Sequence, residues 1–132
     1  DVLADKDMYL LRNESKKGLG FFEANNFYPD FILWVLEGEK QYITFIDPKG
    51  IRNLKGLNDP KIQLYKYLQK KVAEQLNNPN LILNSFIISN TAMQQVEFWA
   101  KEPFAAKEFT DNHVLFKDDV NYMDKLIKMI LH

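Results

Sequence analysis

FYPDFILWVLEGEKQYITFIDPKG, residues 27–50, holds two apolar runs joined at a glycine, each bounded by an aspartate beside a proline. Both runs are rich in β-branched and aromatic residues, the composition of strands. Gly38 suits the first central position of a two-residue type II′ turn, which makes Gly38 and Glu39 the loop of a hairpin. Pairing then runs outward from Glu37 opposite Lys40, through Leu36 opposite Gln41, until Asp30 faces Asp47. Directly opposed residues of an antiparallel pair share a face, with β-carbons roughly 5 Å apart. Lys49, two residues beyond Asp47, keeps that face because strand side chains alternate. A similar fold-back at Asn25 and Asn26 brings Glu23 opposite Tyr28, beside Asp30, although a longer turn would flip Glu23 away.

Two carboxylates in contact repel, and the end of an apolar sheet is a poor place to keep both ionised. A divalent cation between them reverses the sign of that interaction. Magnesium accepts a few carboxylates and keeps waters, leaving positions for a phosphate oxygen and an attacking water. Lys49 then offsets charge developing on phosphorus or orients the water. The arrangement fits metal-assisted phosphodiester hydrolysis. Against it stands a plainer reading, in which each Asp-Pro pair forms a turn and the lysine is a solvated neighbour. The coincidence of register across a two-residue turn weighs against that plainer reading.

The 132 residues, 46% hydrophobic and 14% aromatic, suffice for one domain with a real core. A formal net charge of -1 says nothing by itself about partners. Without cysteine there is no disulfide framework and no thiolate zinc site. His113 and His132 are too isolated for a histidine-rich centre, so any metal is a hard cation held by oxygen. No apolar stretch approaches the ~20 residues that span a bilayer, and no signal peptide is visible, so no membrane partner and a cytoplasmic location are expected. The opening DVLADKDMYLLRN reads as the middle of a protein, which points to residues 1–132 as a single domain cut from a longer chain, with a processed terminus as the other possibility.

Met8, Leu10 and Leu11 among charges give a weak helical signal that ends near Gly18 or Gly20. GLGFFEA (18–24) reads as a strand. From Pro60, a natural first-turn residue, the apolar positions Ile62, Leu64, Tyr65, Leu68, Val72 and Leu76 repeat with helical spacing. LILNSFIIS (81–89) reads as a buried strand. A helix about Met93–Lys101, a short strand at HVLF (113–116) and a terminal helix VNYMDKLIKMIL (120–131) complete the chain. Apolar character on both sides of the hairpin strands implies an α/β mixed sheet flanked by helices.

Tyr28-Pro29-Asp30 with Asp47-Pro48-Lys49 resembles the PD-(D/E)xK nuclease signature. The longer string YLLRN…GLGFFEANNFYPDFILWV…YITFIDPKGI, over roughly residues 9–54, resembles the C-terminal endonuclease domain of type III restriction enzymes and related helicase-nuclease subunits. That resemblance implies a restriction-endonuclease-like α-β-β-β-α-β core and a magnesium-dependent cut in DNA, with manganese able to substitute. It implies that Asp30, Asp47 and the main-chain carbonyl of Pro48 hold the metal and that Lys49 is the motif lysine. Many such nucleases add an acid from the first helix, for which Glu14 is the candidate, whereas strand geometry favours Glu23. Gln63 and Tyr67 form a Q-x-x-x-Y similar to the auxiliary motif of RecB-type nucleases. Four residues apart on a helix they share one face, which serves DNA contact and ordinary packing equally well.

Lys49 to Lys71 carries seven basic residues against the one acid Asp59, while Glu97 to Asp124 carries seven acids against three lysines. A basic stretch directly after the candidate site is where a phosphate backbone would lie. Arg52 and Lys55 lead as backbone contacts, and contacts of that kind position DNA without reading its sequence. Lys66, Lys70 and Lys71 are expected largely to solvate a helix face. Phe21, Phe22, Trp34 and Trp99 lie in apolar periodic runs and read as core, His113 as structural, and Ser89-Asn90-Thr91 as a plain turn. The phosphate loop G-x-x-x-x-G-K-[ST] is absent, so ATP would act only through a motor region outside these residues. Expected partners are DNA, a helicase/ATPase region of the same full-length chain, and a methyltransferase subunit. The competing expectation is a catalytically inactive nuclease-like module for DNA binding or assembly.

Overall fold

A computed structural model describes residues 4–14, 17–21, 24, 26–100 and 105–131. Five strands, β1 (Asp7–Arg12), β2 (Phe31–Glu37), β3 (Lys40–Lys49), β4 (Leu81–Ser89) and β5 (Val114–Phe116), form one sheet in the order of their numbers. β1, β2 and β3 pair antiparallel, whereas β4 and β5 join parallel to their neighbours. The hairpin has the expected register, from Glu37 opposite Lys40 to Phe31 opposite Ile46. Gly38 takes a φ of 57° and Glu39 stays out of the positive region, as a type II′ turn demands.

A parallel step from β3 to β4 needs a crossover, and a helix supplies it. The helix runs as α1 (Leu64–Tyr67), a π-helical stretch Leu68–Val72 and α2 (Ala73–Leu76). Asn77, in the left-handed conformation with φ 48°, ends it. Before its first turn, the buried Asp59 carboxylate accepts the N–H groups of Lys55 and Lys61, and the Asp59 carbonyl accepts those of Ile62 and Gln63. Ile62, Leu64 and Leu68 pack with Phe45, Leu83 and Ile87 on one face of the sheet. On the opposite face Leu126, Ile127 and Ile130 of α4 (Tyr122–Leu131) cover Leu33, Val35, Ile46 and Phe86. β2 and β3 are thus covered on both faces, which is why their apolar runs lack alternation. α3 (Ala105–Asp111) leads into β5 and buries Phe109 completely. Among the described residues no helix is long and apolar enough to cross a membrane.

The α/β class and the mixed sheet with flanking helices are as expected; the order of the first elements is not. Residues 7–12 form a strand, not a helix, and pair along their whole length with β2. Without β1 the apolar outer edge of β2 would be left unpaired, and that edge outweighs the weak helical spacing of Met8 and Leu11. GLGFFEA forms no strand among its described residues; a lone bridge pairs Phe21 with Phe27. A Glu23–Tyr28 register would have set Phe21 opposite Asp30, so the observed bridge departs from the expected register by three residues. Glu23, Phe22 and Asn25 lie outside the described residues. The expected helix from Met93 is two 3-10 turns, Met93–Gln95 and Glu97–Trp99, with Val96 between them out of helical geometry and Lys101 outside the described residues.

Candidate active site

Asp47 lies near the C-terminal end of β3, buried at 5% exposure. The hairpin ladder stops at Phe31–Ile46, one pair short of the two aspartates. At the next position the Asp30 N–H donates to Asp47 Oδ1 at 2.8 Å, so a side chain takes over where the backbone ladder ends. Lys49 Nζ lies 3.1 Å from Asp47 Oδ2. Asp47 and Lys49 therefore meet on the face covered by the crossover helix, and the Asp30 backbone reaches the Asp47 carboxylate through its N–H. Pro48, which has no N–H to donate, sits where β2 has already ended and β3 keeps only β4 as a neighbour.

Burial pushes the Asp47 carboxyl above the ordinary aspartate range, and the neighbouring Asp30 adds to the shift. The Lys49 ammonium and the Asp30 N–H pull the other way without cancelling it. A carboxylate so placed gains from any further cation. The donors are all oxygen, which suits magnesium and not a soft metal. Among the described residues no group of three or more acidic, histidine or cysteine side chains converges, so Asp30 and Asp47 are the side-chain donors on view. Glu14, the alternative third acid, follows β1 and is exposed, with no helix to carry it inward.

Asn13 and Thr91, to which sequence reasoning assigned no role in the site, hold it in place. The Asn13 N–H donates to the Asp30 carbonyl at 2.8 Å. Its side-chain Nδ2 donates to the carbonyls of Pro29 at 2.8 Å and Leu19 at 2.7 Å, and its Oδ1 accepts the Leu19 N–H at 2.9 Å. The peptide before Asp30 is thereby fixed from β1. A β-carbon at Gly18 would sit 2.1 Å from Asn13 Oδ1, so the loop closes on the asparagine only because residue 18 has no side chain. On the other flank, the Asn90 N–H donates to the Lys49 carbonyl and Thr91 Oγ1 accepts the Ile51 N–H. Of the expected Ser89-Asn90-Thr91 turn, Ser89 is still the last residue of β4 and the chain bends at Asn90 and Thr91, anchoring the lysine's backbone. The only sequence cue for Asn13 was an asparagine ending an apolar run, a pattern far too common to single out.

The remaining candidates are placed unevenly. Arg52 is exposed, and its Nε donates to Gln95 Oε1 at 2.8 Å. Lys55 is exposed on the loop that Asp59 orders. Gln63 and Tyr67 line one cavity of 230 Å³, as a shared helix face requires. Gln63 Nε2, however, donates to the Leu57 carbonyl at 2.6 Å and to Asn112 Oδ1 at 2.9 Å. Its Oε1 is buried without a partner among the described residues. No hydrogen bond or ion pair among the described residues links Gln63 or Tyr67 to Asp30, Asp47 or Lys49. Phe21, Trp34 and Trp99 are partly buried, and Phe21 and Trp99 pack against the core as expected. His113 is held between the rings of Tyr65 and Phe86, at 3.6 and 4.5 Å between centroids.

Comparison of the chain with protein-family models, with curated proteins and with solved structures gives no match.

Proposed function

We propose that this chain is a magnesium-dependent DNA endonuclease domain of PD-(D/E)xK type, from a restriction enzyme resembling type III. The observation that carries the reading is the meeting of Asp30, Asp47 and Lys49 at the ends of two adjacent strands, with both Asp47 oxygens engaged. Asp30, Asp47 and the Pro48 carbonyl would hold the metal, which supplies Lewis-acid charge to polarise a phosphodiester. Burial of Asp47 excludes water from one side of the site and strengthens every charge interaction there. Lys49, 22% exposed, points its ammonium at that carboxylate from a position open to an anionic substrate. Arg52 and Lys55, both exposed on the loop after β3, extend positive charge toward a DNA backbone.

A second reading, an inactive nuclease-like module for DNA binding or assembly, draws on the same ion pair. Lys49 already compensates Asp47, so the cluster stands without a metal. Plasmid nicking in magnesium against EDTA, combined with magnesium titration calorimetry, separates the two. The endonuclease reading expects nicking only with metal, lost at least 100-fold in Asp47→Ala and in Lys49→Ala, with metal binding lost in Asp47→Ala. Equal nicking by wild type and Lys49→Ala removes the lysine from the chemistry. Absence of both nicking and magnesium binding selects the inactive module.

A further inference from the structure

We infer that Lys61 is a second phosphate-binding cation of this site, held beside Lys49 on the ring of Phe27 to grip DNA next to the cleaved bond. The inference rests on the nuclease reading and adds to it a residue from a different element. Phe27 is 5% exposed, and its ring carries Lys49 Nζ at 4.4 Å and Lys61 Nζ at 5.6 Å. Both lie inside the ~6 Å range of a cation–π contact. Lys49 reaches the ring from the end of β3, and Lys61 from the turn that leads into the crossover helix. Two ammonium groups on one ring repel each other, yet their surroundings differ. Lys49 is neutralised by Asp47 at 3.1 Å, whereas no salt bridge to Lys61 occurs among the described residues.

Lys61 is also held from its backbone. Its N–H donates to Asp59 Oδ1 at 2.9 Å, while the other oxygen of the same buried carboxylate takes the Lys55 N–H at 3.0 Å. Asp59 thus sets the backbone from which Lys61 and Lys55 project. A solvated lysine on a helix face has no such restraint; Lys66, Lys70 and Lys71 are exposed in that way. An uncompensated ammonium parked beside a candidate phosphodiesterase centre suits the non-bridging oxygens of a neighbouring phosphate. Contacts of that kind tighten substrate binding and carry no sequence information.

Lys61→Met keeps an apolar stem over Phe27 and removes the charge, while Lys61→Arg keeps the charge. In metal-dependent nicking of DNA of defined length, Lys61→Met raises KM about tenfold, with the loss falling on KM and not on kcat. The slope of log binding constant against log salt, measured without metal, shrinks by about one. Lys61→Arg restores both, and the three proteins melt together. A residue that merely covers Phe27 would leave KM and salt slope unchanged in the methionine variant. That result, with wild-type nicking intact, overturns this inference alone. If wild type neither nicks nor binds DNA in a salt-dependent way, the inference falls together with the nuclease reading.

Discussion

At Asp47 a carboxylate is held almost out of water by a lysine and a backbone N–H, and burial still raises its pKa. Charge there costs stability, which is the expected signature of a group kept for chemistry. Asp47→Asn removes the charge, while its Oδ1 still accepts the Asp30 N–H. Lys49 loses its counter-charge but is exposed enough to regain water. The variant is therefore expected to melt at or a few degrees above wild type while losing nicking, as calorimetry and the plasmid assay will show. A large drop in Tm would mean that the ion pair stabilises the fold more than burial of the charge costs it. His113 behaves differently. Burial depresses its pKa from 6.5 to about 4, with a hydrogen-bonding contact to the Ser85 carbonyl opposing the shift. Between those values the unfolded chain binds a proton that the folded one refuses, so stability falls as pH drops from 6.5 to 4. The loss is about 3 kcal/mol at most. Its φ of 62° makes asparagine the gentlest replacement. Urea unfolding across that pH range is expected to show a steeper acid loss in wild type than in His113→Asn. Parallel curves would exclude the histidine as the cause.

The elements differ in how openly the sequence declared them. The β2–β3 hairpin was legible to the residue because turn chemistry and strand register are local: Gly38 fixes the turn, and the turn fixes which side chains are opposed. Gly38 has nothing within 4 Å of an added β-carbon, so Gly38→Ala meets no clash and suffers only the strain of a positive φ. That strain costs about 1–2 kcal/mol, which lowers Tm by about 4–8 °C in a domain near this size. Thermal unfolding measures it, and an unchanged Tm would show that the turn has another conformation of equal energy. β4 and most of the crossover helix were readable too, since long periodic runs need no tertiary context, although Pro60 and Ile62 fall in the turn before Leu64 and the π-helical stretch Leu68–Val72 carries no sequence signal. β1 was not. Its six residues are exposed and carry no alternation, and only the empty edge of β2 makes a strand of them. The 18–24 loop misled for the opposite reason, because Phe21 is apolar in order to meet Phe45 edge-on at 4.9 Å and not to join a ladder. Of the site, the Asp30–Asp47–Lys49 triangle followed from register. Asn13, Thr91 and the Lys61–Phe27 contact join elements far apart in sequence, which no local pattern encodes.

Among the described residues the two sheet faces are covered from β2 to β5, and β1 is exposed along its length. Met8, Tyr9, Leu10 and Leu11 are 50%, 53%, 63% and 44% exposed. Leu10 shares a face with Leu33, and Leu11 shares the other face with Ile32, so apolar surface lies open on both sides of the strand. β1 also stands at the end of the strand order, with its outer backbone edge unpaired among the described residues. An apolar edge strand with free N–H and C=O groups is a template for pairing with another chain. Salt bridges at the strand's start do not protect it: Lys6 turns to Asp5 at 3.0 Å and to Glu37 at 2.7 Å, so its charge is spent beside β2. The isolated chain is therefore expected to associate as its concentration rises, in sedimentation velocity between micromolar and high micromolar protein. Leu10→Lys combined with Leu11→Lys puts a charge on each face of the edge and should keep the chain monomeric over the same range. Because both side chains are already exposed, at 63% and 44%, the double variant is expected to lose only about 0.5 kcal/mol per site, and under the proposed function metal-dependent nicking gives the control that the Asp30–Asp47–Lys49 cluster is undisturbed. A wild-type chain that stays monomeric at every concentration would show that solvated edge groups and nearby charges suffice to protect β1.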